Sequence, residues 1–212
     1  MSFHHLRLLL GLSALSFSLL ACGTSHQHDD DDDDDSAADD DDDSVPAEFA
    51  MWSPDFIDDD NITHNYDCEQ ALPVANSCDG SSPQIMWEGA PEGTAGFALI
   101  FDDPTAGNFP HWAIYNIPAD AMSLDAGISG NNVSNNPPGD AVELTNGFGW
   151  EGYLGSCPGG VNHYRWRLWA LSEALPEDSN MSYSDLAAAA EASSLEMVSM
   201  CHVFDGAAVP GR

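Results

Sequence analysis

Lysine is absent from this chain, and arginine occurs only as Arg7, Arg165, Arg167 and Arg212. Against these stand 36 acidic residues, giving a formal net charge of −32 at pH 7. A polyanion of this kind repels nucleic acid and anionic headgroups, which excludes nucleic-acid binding as a function class. No CxxC spacing is present, so the cysteines do not read as a zinc site. No GxSxG nucleophile elbow is present either. The longest apolar run, Leu8 to Leu20, is too short for a comfortable membrane span. No internal repeat is visible.

The apolar run has another reading. It follows His4, His5 and Arg7 and ends Leu19-Leu20-Ala21-Cys22, which resembles a bacterial lipobox. Residues 1–21 are therefore expected to be a lipoprotein signal peptide. Cleavage would leave Cys22 as the acylated first residue, and several acyl chains together anchor stably. Gly23 follows the cysteine, with no aspartate there to argue for inner-membrane retention. The expected location is the bacterial cell envelope, at the outer membrane or cell surface. Two aspartate runs come next, Asp29 to Asp35 and Asp39 to Asp43. Like charges at this density stay solvated and do not pack a core. Residues 22–47 read as an acidic tether reaching up to about 80 Å, and 48–212 as one folded domain.

Four further cysteines, Cys68, Cys78, Cys157 and Cys201, fit two disulfides in an exported chain. Three pairings are open. The short Pro/Asn-rich spacing favours Cys68–Cys78 with Cys157–Cys201. Within the domain, short apolar runs alternate with Gly, Pro and Asn turns, and helix signals come late, which predicts a mainly β, α+β domain. Strands are expected at Ser82 to Trp87, Phe97 to Phe101, Trp112 to Ile117 and Tyr164 to Leu171. The last would put Tyr164, Trp166 and Leu168 on one face and Arg165, Arg167 and Trp169 on the other. Ser182 with Asp185 suggests a capping box and a first helix. Leu195, Val198 and Cys201 are spaced for a second.

The stretch Phe97 to Pro118 puts Asp103 at the end of one strand and His111 at the start of the next. An Asp beside a His can fix its tautomer and keep it partly protonated near neutral pH. Arg165 and Arg167 are expected to pair with surface carboxylates. His64 and His202 show no partner.

Three segments together resemble the phosphatidylethanolamine-binding protein family, in its bacterial Raf-kinase-inhibitor-like branch. They are Cys78-Asp79-Gly80-Ser81-Ser82-Pro83 with Trp87, then Asp102-Asp103-Pro104-Thr105-Ala106 with His111-Trp112 and Tyr115-Asn116-Ile117-Pro118, and finally Gly155-Ser156-Cys157-Pro158 with Asn162 to Leu171. The resemblance implies a β-sandwich around a large antiparallel sheet with C-terminal helices. It also implies a small rim pocket for anionic or zwitterionic headgroups such as phosphate and phosphoethanolamine. By position, Asp103, His111, Gly155, Pro158 and Tyr164 match that pocket. Thr105, Gly107 and Asn162 stand where the family usually has Asp, Pro and His. A shifted register would instead put His163 on the family histidine, so His163 joins the candidates. The resulting expectation is a lipid-anchored, non-enzymatic ligand-binding protein without cofactor or metal. An inhibitor of an extracytoplasmic protease or kinase is the alternative, and a hydrolase using Asp103 and His111 ranks third.

Overall fold

The computed structural model describes residues 47–56, 72–73, 80–131 and 133–205. Expectations that fall on the leader, Cys22, the aspartate runs, His64, Cys68 and Cys78 lie outside the described residues.

Two sheets carry the domain. The larger contains β2 (Leu72–Pro73), β9 (Ser194–Asp205), β8 (Val161–Leu171), β4 (Gly96–Asp103), β5 (Phe109–Pro118) and β7 (Val142–Glu143), in that order. Its ladders are antiparallel except for β2, which runs parallel to β9. The smaller sheet is β1 (Ala50–Trp52), β3 (Ile85–Glu88) and β6 (Ser123–Leu124). One helix, α1 (Tyr183–Ala192), completes the described elements.

The two-residue period of the strands sorts side chains into two cores. On one face of the large sheet, Leu99, Phe101, Trp112, Ile114, Tyr164, Trp166 and Leu168 meet Met51, Ile85, Trp87 and Leu124 of the small sheet. On the other face, Ala98, Ile100, Ala113, Tyr115, Trp169 and Leu171 meet Leu186 and Ala190 of α1. Both faces of β4 are therefore buried along its whole length. This is why its sequence is an unbroken apolar run up to the two terminal aspartates. In β8 the expected alternation holds: Tyr164, Trp166 and Leu168 face the small sheet, and Trp169 faces the helix.

The helix begins as expected. The Ser182 hydroxyl accepts from the Asp185 N–H at 3.1 Å and donates to the Asp185 carboxylate at 2.7 Å. The second expected helix is instead β9, the central partner of β8. Leu195, Val198 and Cys201 do share a helical spacing. However, Val198, Met200, His202 and Phe204 alternate and are all buried. Pairing with β8 satisfies the backbone along twelve residues and buries that face, which a helix carrying exposed Leu195 and Met197 would not.

Met200 is fully buried and Met197 is 42% exposed. Met200→Ala should therefore cost about 2–5 kcal/mol. Met197→Ala should stay within about 0.5 kcal/mol. Urea unfolding of both variants checks this, and equal losses would contradict the strand.

Candidate functional site

The β4–β5 connection is built by its own residues. The Asp103 carboxylate caps a single 3-10 turn (Pro104–Ala106), accepting from the Ala106 N–H at 3.0 Å. Proline at the first position suits such a turn. Gly107 follows at φ +75° and Asn108 at φ +61°, and a proline fixed near −65° could not take the place of Gly107. The other carboxylate oxygen of Asp103 accepts from Asn162 Nδ2 at 2.6 Å. The Thr105 hydroxyl accepts from the His163 N–H at 2.9 Å. Thr105 and Gly107 thus belong to this turn, and Asn162 of β8 is tied to its cap.

The ladder slips where the histidine stands. Phe101 pairs with Trp112 and Asp102 with Pro110, so His111 is the extra residue of a bulge. Bulges re-aim a side chain out of the regular alternation. Leu154 clamps His111 on both sides. Its N–H donates to the His111 carbonyl at 2.9 Å, and its carbonyl lies 2.9 Å from His111 Nδ1. A carbonyl only accepts, so Nδ1 carries the hydrogen and Nε2 the lone pair. The expectation that Asp103 orients this ring is corrected, because the Leu154 carbonyl does so. The expectation of partial protonation is corrected as well. Burial lowers the His111 pKa below 6.5, outweighing the Leu154 carbonyl and the charges of Asp103 and Asp102. The imidazole is neutral at pH 7.

Tyr164 stands against His111, the rings perpendicular with centroids 5.2 Å apart. Burial and the Asp103 charge raise its pKa well above the ordinary value, and the nearby Ser156 side chain and Cys157 backbone oppose that shift. Behind it lies a network that sequence reasoning missed. Trp166 Nε1 donates to His202 Nδ1 at 3.1 Å, and His202 Nε2 is 3.1 Å from Ser156 Oγ. An indole N–H can only donate. His202 Nδ1 is therefore the acceptor, and Nε2 carries the hydrogen and donates to Ser156, whose side chain stands near Tyr164. The alternation of Val198, Met200, His202 and Phe204 was the signal that could have found His202.

Asp103, His111 and Tyr164 are thus brought together, all less than 6% exposed. Gly155 and Pro158 lie in the loop beside them, and the Gly155 backbone acts on His111. His163 does not join them. It is exposed, on the parity of Arg165, while Asn162 takes the inward place beside Asp103. Cys157 is in the loop and Cys201 is opposite Arg165. Among the described residues, no group of three or more His, Cys, Asp or Glu is placed to hold a metal ion, and no helix is long and apolar enough to cross a membrane.

On the opposite face, Asp102 is buried and takes both arginines. Arg165 Nε and Nη2 donate to its two oxygens at 3.0 and 2.7 Å, and Arg167 Nη2 donates at 2.8 Å. The carboxylate they meet is thus a buried one rather than a surface one. Burial lowers the Arg167 pKa, and the charge of Asp102 opposes that shift.

A family model described as "Phosphatidylethanolamine-binding protein" matches residues 52–204. UPF0098 protein YbcL of Escherichia coli is 39% identical over 114 residues, which are 50% of this chain and 62% of that protein. A UPF0098 protein of Methanothermobacter thermautotrophicus is 35% identical over 134 residues, 61% of this chain and 87% of that protein. LppC of Mycobacterium tuberculosis, whose description includes the word lipoprotein, is 35% identical over 111 residues, 49% of this chain and 51% of that protein. The match thus spans less than two thirds of YbcL and about half of LppC. The crystal structure of Escherichia coli YbcL, described as a member of the mammalian PEBP family, superposes with a TM-score of 0.60 at 28% identity, covering 75% of this chain and 99% of that one.

His202 is fully buried, and burial followed by the nearby His111 lowers its pKa to about 3. The unfolded chain protonates this histidine near pH 6.5, and the folded chain does so only near pH 3. Between those values the unfolded state binds more protons, so stability is complete above pH 6.5 and is lost as pH falls. His202→Gln keeps an acceptor and a donor without titrating. It should flatten the acid limb of stability against pH by up to about 1.4 kcal/mol per pH unit, as read by urea unfolding from pH 7 to pH 4. An unchanged slope would contradict the neutral buried ring.

Proposed function

The chain belongs to the phosphatidylethanolamine-binding protein family, in its bacterial branch, and from that premise we propose that it is an envelope-anchored, non-enzymatic binding protein for phosphate-type or zwitterionic headgroups. The observation that carries this reading is the convergence of Asp103, His111 and Tyr164 at the strand ends, with the Tyr164 ring set perpendicular to that of His111. The Tyr164 hydroxyl, its pKa raised by burial, keeps its hydrogen and is a donor. A phosphate oxygen accepts from it. The lone pair of His111 Nε2 accepts from a protonated phosphate or takes up a proton with the anion. Asp103, whose oxygens have acceptor capacity left beyond Ala106 and Asn162, accepts from an ammonium group. Gly155 and Pro158 wall the site.

The same wiring argues against hydrolysis. Ser156 and His202 are at hydrogen-bond distance, as in a nucleophile–base pair. But His202 Nε2 already carries a hydrogen and its pKa is about 3, so it cannot take a proton from the serine. Lipid anchoring at Cys22 is supported by the Leu19 to Cys22 motif and by the likeness to LppC. Disulfides in the exported domain remain part of the proposal. The even number of cysteines beyond Cys22 supports them, and peptide mapping of the unreduced protein reads which cysteines are joined.

Calorimetry with phosphoethanolamine should give saturable binding, weakened at least about tenfold by His111→Ala, Asp103→Ala or Tyr164→Phe, since each removes a hydrogen bond to a charged group. Because His111 is neutral at pH 7, affinity should rise as pH falls toward its lowered pKa. Buffers of different ionisation enthalpy should reveal proton uptake on binding. Absence of binding, or equal binding by all four proteins, would refute this site.

A further inference from the structure

The described residues contain two basic side chains, Arg165 and Arg167, and both line one cleft of about 600 Å³ on the helix side of the sheet. The only carboxylate in its lining is Asp102, so the lining carries one net positive charge within a chain of formal charge −32. Asp102 does not exhaust the two guanidinium groups. Arg165 uses Nε and Nη2, the latter also reaching the Asn108 side chain at 3.2 Å. Arg167 uses Nη2, and its buried Nε has no hydrogen-bond partner in the protein. Across the cleft, the hydroxyl of Tyr183 is likewise buried and without a partner. Ser184, in the first turn of α1, adds a further hydroxyl to the lining. Met181, Ala187 and Pro110 supply apolar wall.

Buried donors without acceptors are costly and uncommon, and two of them belong to residues that line this cleft. The guanidinium fork suits a planar or tetrahedral oxyanion. We propose that this cleft is a second binding site, separated from the Asp103–His111–Tyr164 cluster by the sheet, for a small organic oxyanion with an apolar body, either a carboxylate or a phosphate monoester. The head accepts from Arg165, Arg167 and the Tyr183 hydroxyl, and the body lies on Met181 and Ala187. Adjacent residues on a strand point to opposite faces, so Asp102 serves this cleft while Asp103 serves the other site.

The test is a two-dimensional amide NMR titration of the full chain in the His111→Ala background, with benzoate, phenyl phosphate and inorganic phosphate as probes. Saturable shifts of the Tyr183, Ser184 and Arg167 signals are expected with benzoate or phenyl phosphate. Whichever of the two binds more tightly identifies the head group. Inorganic phosphate, which lacks the apolar body, should bind at least about tenfold more weakly. Tyr183→Phe should keep the melting temperature, because the hydroxyl has no partner to lose, yet weaken binding about fivefold or more. Ala187→Leu, which fills the wall without touching the ionic cluster, should abolish binding. The proposal is overturned if none of the probes shifts these signals, or if the shifts disappear with His111→Ala but occur in the wild type. It is also overturned if Ala187→Leu binds as well as the parent protein, or if the three probes bind equally.

Discussion

The buried carboxylate of Asp102, held by both arginines of the described chain, is the interaction on which the rest depends. Taking one negative and two positive groups out of water is unfavourable unless the geometry of their pairing is good. Here three donors converge on two oxygens at 2.7 to 3.0 Å. This ties β4 to β8 at the end of the sheet where the turn begins. The positions of Asp103, Asn162 and Tyr164 on the other face follow from the same register, since Asp102 opposite Arg165 leaves no freedom to the residues on either side. A one-residue slip would bury the arginines among Phe101 and Trp166 and turn Tyr164 to the helix.

Within the other face, direction matters as much as proximity. The network starts from an indole that can only donate and runs through His202 to Ser156. Each group's role is set by the one before it. Tyr164, stacked on His202, offers a phenol hydrogen. His111, fixed by the Leu154 carbonyl, instead offers an acceptor. One donor and one acceptor side by side, in a nearly dry setting, fit a ligand that both accepts and donates. They do not provide the poised base that a nucleophile would need, because burial depresses both imidazoles.

Much of this was legible in the sequence. The apolar runs of β4 and β5, the alternation in β8 and the Ser182–Asp185 box each carry their own local reason, and each appears in the fold. So does the meeting of Asp103, His111 and Tyr164, which rests on the resemblance of the motifs rather than on spacing. What failed depended on distant partners. The β9 segment fits a helical spacing through Leu195, Val198 and Cys201 as well as a strand through Val198, Met200, His202 and Phe204. Only β8, more than twenty residues earlier at their nearest, decides between them. The charge of His111 could not be read from its neighbour Asp103, because desolvation by residues far along the chain outweighs one carboxylate. The parity of Tyr164, Trp166 and Leu168, carried back two residues, puts Asn162 inward beside Asp103 and His163 outward, so His163 entered the candidates only through the shifted register.

The acidity of the chain gives these local arrangements a particular meaning. A surface with many carboxylates and almost no cations acts on an approaching anion over distances of about a Debye length, roughly 10 Å at 0.1 M salt. Contacts with Tyr164, or with the arginine pair, act over about 3 Å and are much less screened. The two ranges oppose each other for any anion, while the field favours the ammonium end of a zwitterion. On the proposed reading, Asp103 is available for the cation of a zwitterion and Tyr164 for its phosphate. The placement of both arginines against Asp102, away from that cluster, leaves the cluster without a permanent positive charge. Recognition there would fall to neutral donors and acceptors, which an overall neutral headgroup would meet without first overcoming the repulsion that a free anion encounters.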